Sequence, residues 1–294
     1  MSAPGVRRRL TPIIALLAGI ASVLGLVAAA PIAVAQPTAR SVPSSAADAV
    51  RSGGGSQGGK PTVVLVHGSW ADGSSWNGVI ERLQRAGYPV RAVYNPLRGL
   101  ANDSAVLTGF LSTIPGPVVL AAHSYGGAVM SNGAAASPNV KALVYVDSFA
   151  PDVGESVLEL AGPDSVLSGD PATVFDFVPF GTGPGDVDLY LKRTVYQEEF
   201  ASDLPRRTSA VLYATQRPAA AAGFAETATA AAWKTIPSWF LIGTRDTVIP
   251  PDRQRFMAQR ARARTVEITA SHVSLISRPA AVTALIVTAA RTVR

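Results

Sequence analysis

From residue 61 onward, short apolar runs alternate with stretches of helical spacing. The runs at 61–67 (P-T-V-V-L-V-H), 89–94, 114–122 (I-P-G-P-V-V-L-A-A), 140–147 (V-K-A-L-V-Y-V-D), 237–243 (P-S-W-F-L-I-G) and 265–269 predict six strands. Strands this continuously apolar are buried on both faces, as in a parallel sheet. Helices are predicted at 76–86, closed by Gly87, at 103–113, directly after Ser124, and at about 251–262 and 279–292. The alternation implies an α/β fold: a mostly parallel six-stranded sheet with helices on both faces and ligands at the carboxyl ends of the strands. Residues 150–236 break the rhythm. They are too long for a crossover, contain turns such as F-G-T-G-P-G-D, and include D-V-D-L-Y-L-K-R-T-V-Y (186–196), which reads as helix. An excursion leaving the carboxyl edge predicts a helical cap over the site.

The first 35 residues follow different rules. Arg7, Arg8 and Arg9 precede a weakly apolar run from Ile13 to Ala30, and Ala33-Val34-Ala35 is an A-x-A cleavage signal. This is the pattern of a secretory signal peptide, by the Sec or the twin-arginine route, with an uncleaved membrane anchor as the alternative. Residues 36–60, ending S-G-G-G-S-Q-G-G-K, hold too little apolar surface to order themselves and predict a flexible leader. The folded domain then spans 61–294.

Charge and composition narrow the chemistry. Removing the signal lowers the basic count from 26 to 23 against 20 acidic residues, with no Lys/Arg-rich block. Such a balance does not point to nucleic acid or to an anionic membrane surface. The chain has no cysteine and three histidines, His67, His123 and His272. Disulfides, a thiol nucleophile and a lipidated cysteine are excluded, a histidine zinc cluster is not expected, and neither is a cofactor. The tract G-G-G-S-Q-G-G precedes any strand and so is no dinucleotide fingerprint.

The stretch A121-A122-H123-S124-Y125-G126-G127 sits between a predicted strand and a predicted helix. Small residues at the first and last positions of x-x-S-x-x allow the sharp strand-to-helix turn that exposes a nucleophilic serine, and here they are Ala122 and Gly126. Without chemistry, Ser124 would be a helix cap. The first strand ends V-L-V-H67-G68-S69-W70, and the loop after such an H-G pair lends a backbone N–H to an oxyanion. Ser69 and Tyr125 are therefore the expected N–H donors. A serine nucleophile also needs a base and an orienting acid. His67 closes the first strand and His123 is fixed in the elbow with its side chain expected to point away from Ser124, which leaves His272, after the last strand. The acid is Asp246, just past the penultimate strand, with Asp147, at the end of an earlier strand, as its rival. The order Ser124, Asp246, His272 is that of α/β-hydrolases. Trp70, Trp76 and Phe149 follow strand ends and are candidates for the pocket wall, or for ordinary packing.

On these residues the sequence resembles the α/β-hydrolase superfamily, and within it bacterial esterases allied to the plant methylesterase and hydroxynitrile lyase group. The resemblance covers about 61–293: V-L-V-H-G-S-W-A-D-G-S-S-W is similar to the group's opening, A-H-S-Y-G-G to its elbow and V-D-S-F-A-P-D to the entry of its cap. It implies that Ser124, Asp246 and His272 are nucleophile, acid and base, that Ser69 and Tyr125 are the oxyanion donors, and that carboxylic esters are the substrates; the cap points to small to medium ones and the export signal to a site outside the cytoplasm. The lyase branch carries a lysine after its histidine where this chain has Val273, which counts against cyanohydrin chemistry. A lyase, a cofactor-free perhydrolase or haloperoxidase on the same residues, and a non-catalytic ligand-binding protein are the alternatives.

Overall fold

The structure is a computed structural model describing residues 59–183 and 186–293. The segments read as signal peptide and leader lie outside the described residues, apart from Gly59 and Lys60. Six strands form one parallel sheet: β1 (Thr62–Val66), β2 (Val90–Val93), β3 (Val118–Ser124), β4 (Val140–Ser148), β8 (Ser238–Gly243) and β9 (Arg264–Ile268), in the order β2-β1-β3-β4-β8-β9. Every residue of β3 and β8 is buried, and β1 and β4 are buried but for Thr62 and Lys141. That matches their apolar sequences, because a central parallel strand meets helices on both faces.

The helices are α1 (Asn77–Arg85), α2 (Leu100–Ser112), α3 (Tyr125–Gly133), α5 (Pro251–Arg260) and α6 (Pro279–Ala290), with α4 in the insertion below. α1 is strongly amphipathic, burying Val79 and Leu83, and ends before Gly87, whose φ of 74° is the left-handed turn a side chain resists. α5 and α6 both start with proline, which lacks the N–H that a first helical turn leaves unpaired.

Between β4 and β8 the chain makes its long excursion, and here the helical expectation is corrected. Residues 187–191 are a strand, β6 (Val187–Leu191), paired antiparallel with β5 (Phe175–Pro179) and with the short β7 (Ala219–Ala220). The cause is in the side chains. In V-D-L-Y-L, Leu189 and Leu191 are buried while Asp188 and Tyr190 are not, an alternation of period two that suits a strand. The rest is short helical turns and α4 (Arg206–Ala214). The two roots are tied together by the Trp233 indole N–H, which donates to the Pro151 carbonyl at 2.8 Å, and Arg260 of α5 pairs with Glu155 of the first root.

Candidate active site

The site is assembled at the carboxyl ends of β1, β3, β4 and β8. β3 runs into α3 with no loop, so Ser124 is at once the last strand residue and the cap of the helix. Its φ of 54° and ψ of −129° are a conformation that a side chain adopts only at a cost, about 1–3 kcal/mol. The surroundings hold it there. The Ser148 hydroxyl donates to the Ser124 carbonyl at 2.8 Å and the Phe149 N–H donates to it at 3.3 Å. A Cβ on Gly126 would meet the carbonyl oxygens of Val66 and His67 at 2.9 and 2.8 Å, and one on Gly127 would meet the Ser148 hydroxyl at 2.0 Å. A Cβ on Gly68 would come within 2.6 Å of the Ser124 Cβ. The glycines are thus demanded by close approach, and Ala122, wholly buried, satisfies the remaining small position.

The loop after β9 brings His272 to the serine. Its Nε2 accepts from the Ser124 hydroxyl at 2.9 Å, and its Nδ1–H donates to Asp246 Oδ2 at 2.8 Å. This tautomer follows from the acceptor-only character of the carboxylate. Asp246 is itself fixed by the N–H groups of Val248 and Ile249 at 2.8 and 2.9 Å on Oδ1 and by Gln254 Nε2 at 2.8 Å on Oδ2. Ser124 and Asp246 are 2% exposed and His272 not at all. Burial pushes the His272 imidazole down to about 3, keeping it neutral and able to accept a proton. It pushes the Asp246 carboxyl up, against the pull of those donors.

Asp147, the rival acid, makes no bond to His272. Its Oδ1 accepts the Gly243 N–H at 2.8 Å, and its Oδ2 accepts the Ser274 N–H at 3.1 Å and the Ser274 hydroxyl. His123 makes no hydrogen bond to Ser124 but lies close to the base. Its ring is 4.9 Å from the His272 ring, and its Nε2–H donates to the His272 carbonyl at 2.9 Å. His67 is spent on structure: the Asn95 N–H donates to its Nε2 at 3.3 Å, and its Nδ1–H donates to the Gly68 carbonyl at 2.9 Å.

Of the expected N–H donors, Tyr125 is the first residue of α3, so its N–H has no intrahelical acceptor. The Ser69 N–H donates to no backbone carbonyl among the described residues, and Gly68 sets the Ser69 loop against Ser124. The Tyr125 hydroxyl points elsewhere, donating to Asp103 Oδ2 at 2.9 Å.

Trp70 anchors an aromatic wall. It stacks on Phe224 and Phe175 at 5.5 and 6.0 Å and meets Phe200 edge-on at 5.9 Å, and Phe200 lies 5.1 Å from the His272 ring. Three of these rings come from the insertion, whose Leu189 carbonyl also accepts the Trp70 indole N–H at 2.8 Å. What remains open beside them is a cavity of about 20 Å³ lined by Trp70, Asp72, His123, Tyr196 and Phe200, about the size of one water. Trp76 and Phe149 are fully buried; Trp76 ends the turn that starts α1, and Phe149 acts on the site through its backbone. Sequence reasoning missed Phe175, Phe200 and Phe224, because nothing local in a long insertion says which of its aromatic residues turn inward.

Comparison with known proteins agrees with this fold. A model of the Alpha/beta hydrolase family matches residues 63–285, and the chain belongs to that family. It is 30% identical over 110 residues to a carbendazim hydrolyzing esterase of Nocardioides sp. (strain SG-4G), a match spanning 33% of this chain and 46% of that protein. Among solved structures, polyneuridine aldehyde esterase superposes with a TM-score of 0.68 at 20% identity, covering 78% of this chain and 98% of the other. An extracellular alpha/beta-hydrolase from a Paenibacillus species gives 0.65 at 21% identity, over 78% of this chain and 98% of that one. A pyrethroid hydrolase from Sphingobium faniae JZ-2 gives 0.64 at 20% identity, over 79% and 97%. At these identities the superpositions establish the fold.

Proposed function

We propose that this protein is an exported serine hydrolase that cleaves carboxylic esters of small to medium size through an acyl-enzyme. One observation carries the reading: the buried hydrogen-bonded chain from Asp246 through His272 to Ser124, with links of 2.8 and 2.9 Å. In the first half-reaction His272 Nε2 takes the Ser124 proton as Oγ attacks the ester carbonyl carbon. The N–H groups of Ser69 and Tyr125 hold the resulting oxyanion, and the imidazolium returns its proton to the leaving alcohol. Water, deprotonated by the same nitrogen, then attacks the acyl carbon and releases the acid and Ser124. Asp246 keeps the proton on Nδ1 and stabilises the imidazolium without taking that proton.

The insertion acts as the cap, and the wall of Trp70, Phe175, Phe200 and Phe224 gives the substrate an apolar aromatic surface. Ser124 is 2% exposed, so the cap opens for each turnover. Val273 is buried and apolar and offers no cation beside the histidine, which favours ester cleavage over the lyase alternative. The esterase and hydrolase names of the relatives support this chemistry, and the basic, apolar and A-x-A pattern of residues 1–35 supports export. Ser124→Ala is expected to lower turnover of p-nitrophenyl acetate by about 10⁶-fold and to abolish labelling by a fluorophosphonate. Hydrolysis at the wild-type rate by that variant overturns the reading.

A further inference from the structure

The mechanism above leaves two buried carboxylates unused, Asp103, which accepts from the Tyr125 hydroxyl, and Asp147, which lies between the loops of the triad. Asp147 is wholly buried at the end of β4, its φ of 44° being one that non-glycine residues avoid. A buried charge with no task is costly, and a strained backbone holding it persists only where the surroundings demand it.

Those surroundings are two loops. Gly243, which donates to Oδ1, is the last residue of β8, three residues before Asp246. Ser274, which donates twice to Oδ2, follows His272 by two. The Gly243 position is tight as well, since a Cβ there would meet the carbonyl oxygens of Ala270 and Ser271 at 2.8 and 2.9 Å and Asp147 Oδ1 at 3.0 Å. The carboxyl of Asp147 thus stands where the acid-bearing and base-bearing loops converge, and every hydrogen bond it makes is one it accepts. Two backbone N–H groups can do nothing but donate, and the Ser274 hydroxyl has no other acceptor among the described residues. This donor set favours the anion, against burial and the neighbouring Asp246, which push the Asp147 carboxyl up.

We propose that Asp147 is a positioning residue, a fixed anion that ties the Asp246 loop to the His272 loop and stabilises the imidazolium formed during the reaction. The assignment rests on the Ser124–His272–Asp246 reading. It differs from the rival-acid role, because Asp147 acts through Gly243 and Ser274 and touches neither the imidazole nor the serine. The groups facing His272 are Asp246 on its Nδ1, Asp147 under its loop, His123 with its ring 4.9 Å away, and Asp203 of the insertion, which accepts from the Ser271 hydroxyl beside Arg278.

The test is a pair of variants assayed on p-nitrophenyl acetate over pH. Asp147→Asn removes the charge and turns an amide against a donor. It is expected to lower kcat about 10- to 100-fold with KM little changed, since misplacement of a catalytic group by about 1 Å costs about 100-fold. The negative charge favours imidazolium, so its loss lowers the pKa of His272. The acid limb of kcat/KM should then move to lower pH, by about 0.5–1 unit. Ser274→Ala keeps the charge and loses one bond; it is expected to lower kcat several-fold with the acid limb in place. An acid limb that does not move in Asp147→Asn overturns the anion assignment. Should that variant not fold, wild-type kcat in folded Ser274→Ala overturns the tie. If wild-type protein neither hydrolyses the ester nor takes a fluorophosphonate label, the triad reading fails. If it does both while the variants match it, the Asp147 assignment alone fails.

Discussion

At the carboxyl rim of the sheet the ionisable groups are buried and bonded, whereas at the amino rim they stand in solvent. Asp147, Asp246, His123 and His272 are at most 2% exposed. Opposite them, where β4, β8 and β9 begin, a groove of about 600 Å³ is lined by Lys141, Lys234, Arg262 and Arg264 around Trp233 and Trp239. All four cations are exposed, and among the described residues only Lys234 has a carboxylate within 4.0 Å, that of Asp152. The larger hollow is thus the one without preorganised chemistry. Charges in water interact weakly and move freely, while desolvated ones are strongly coupled and have to be fixed by neighbours. The backbone does not follow the same division, because Trp70, Ser124 and Asp147 carry positive φ at the carboxyl rim and Arg262 carries it at the amino rim.

Substitutions at the two rims sharpen this contrast. The largest effect here is expected from Asp246→Asn, which keeps the shape but can hold the wrong imidazole tautomer; kcat should fall about 10⁴-fold, read by steady-state ester hydrolysis. A fall of less than tenfold would show the buried acid to be dispensable. Gly127→Ala should come next. The Ser148 hydroxyl and the Phe149 carbonyl stand 2.0 and 2.3 Å from the new methyl, so chemical denaturation should show a loss of about 1–3 kcal/mol or more. An unchanged midpoint would mean that the elbow is looser than its contacts imply. The smallest effect belongs to the amino rim, where Arg262→Ala with Arg264→Ala should leave kcat/KM unchanged and stability within about 0.5 kcal/mol. A large loss of activity from that pair would break the separation between the rims.

Much of this was legible in the chain. The six strands fall within a few residues of their predicted runs; β1, β3, β4 and β8 are covered on both faces and have no choice but to be apolar, whereas β2 and β9, expected to be buried as well, are edge strands and largely exposed. The elbow was readable from the spacing of Ala122, Ser124 and Gly126, and β8 before Asp246 and β9 before His272 from apolar runs of their own. Asp147 and Asp246 were harder to separate. Both are aspartates at strand ends, and only the path of the loop after β9 decides which one faces the imidazole. That His123 lies against the His272 loop was not legible, because strand alternation sends its side chain to the other face from Ser124 and says nothing of the last loop passing over that face. In the insertion, Lys192, Arg193, Glu198 and Glu199 give a charged run that reads as a helix face and masks the period-two pattern at 187–191.

The double hold of Ser148 and Phe149 on the Ser124 carbonyl also fixes where the protein can bend. The first root of the cap is fastened to the elbow, and the Trp233–Pro151 bond fastens the second root to the first. A hinge at either root would therefore drag the nucleophile out of register with its base. Any opening that spares both anchorages falls to the interior of the excursion, and the contacts that would have to part there are the Trp70–Leu189 bond at 2.8 Å and the Arg98–Asp188 ion pair at 2.7 Å.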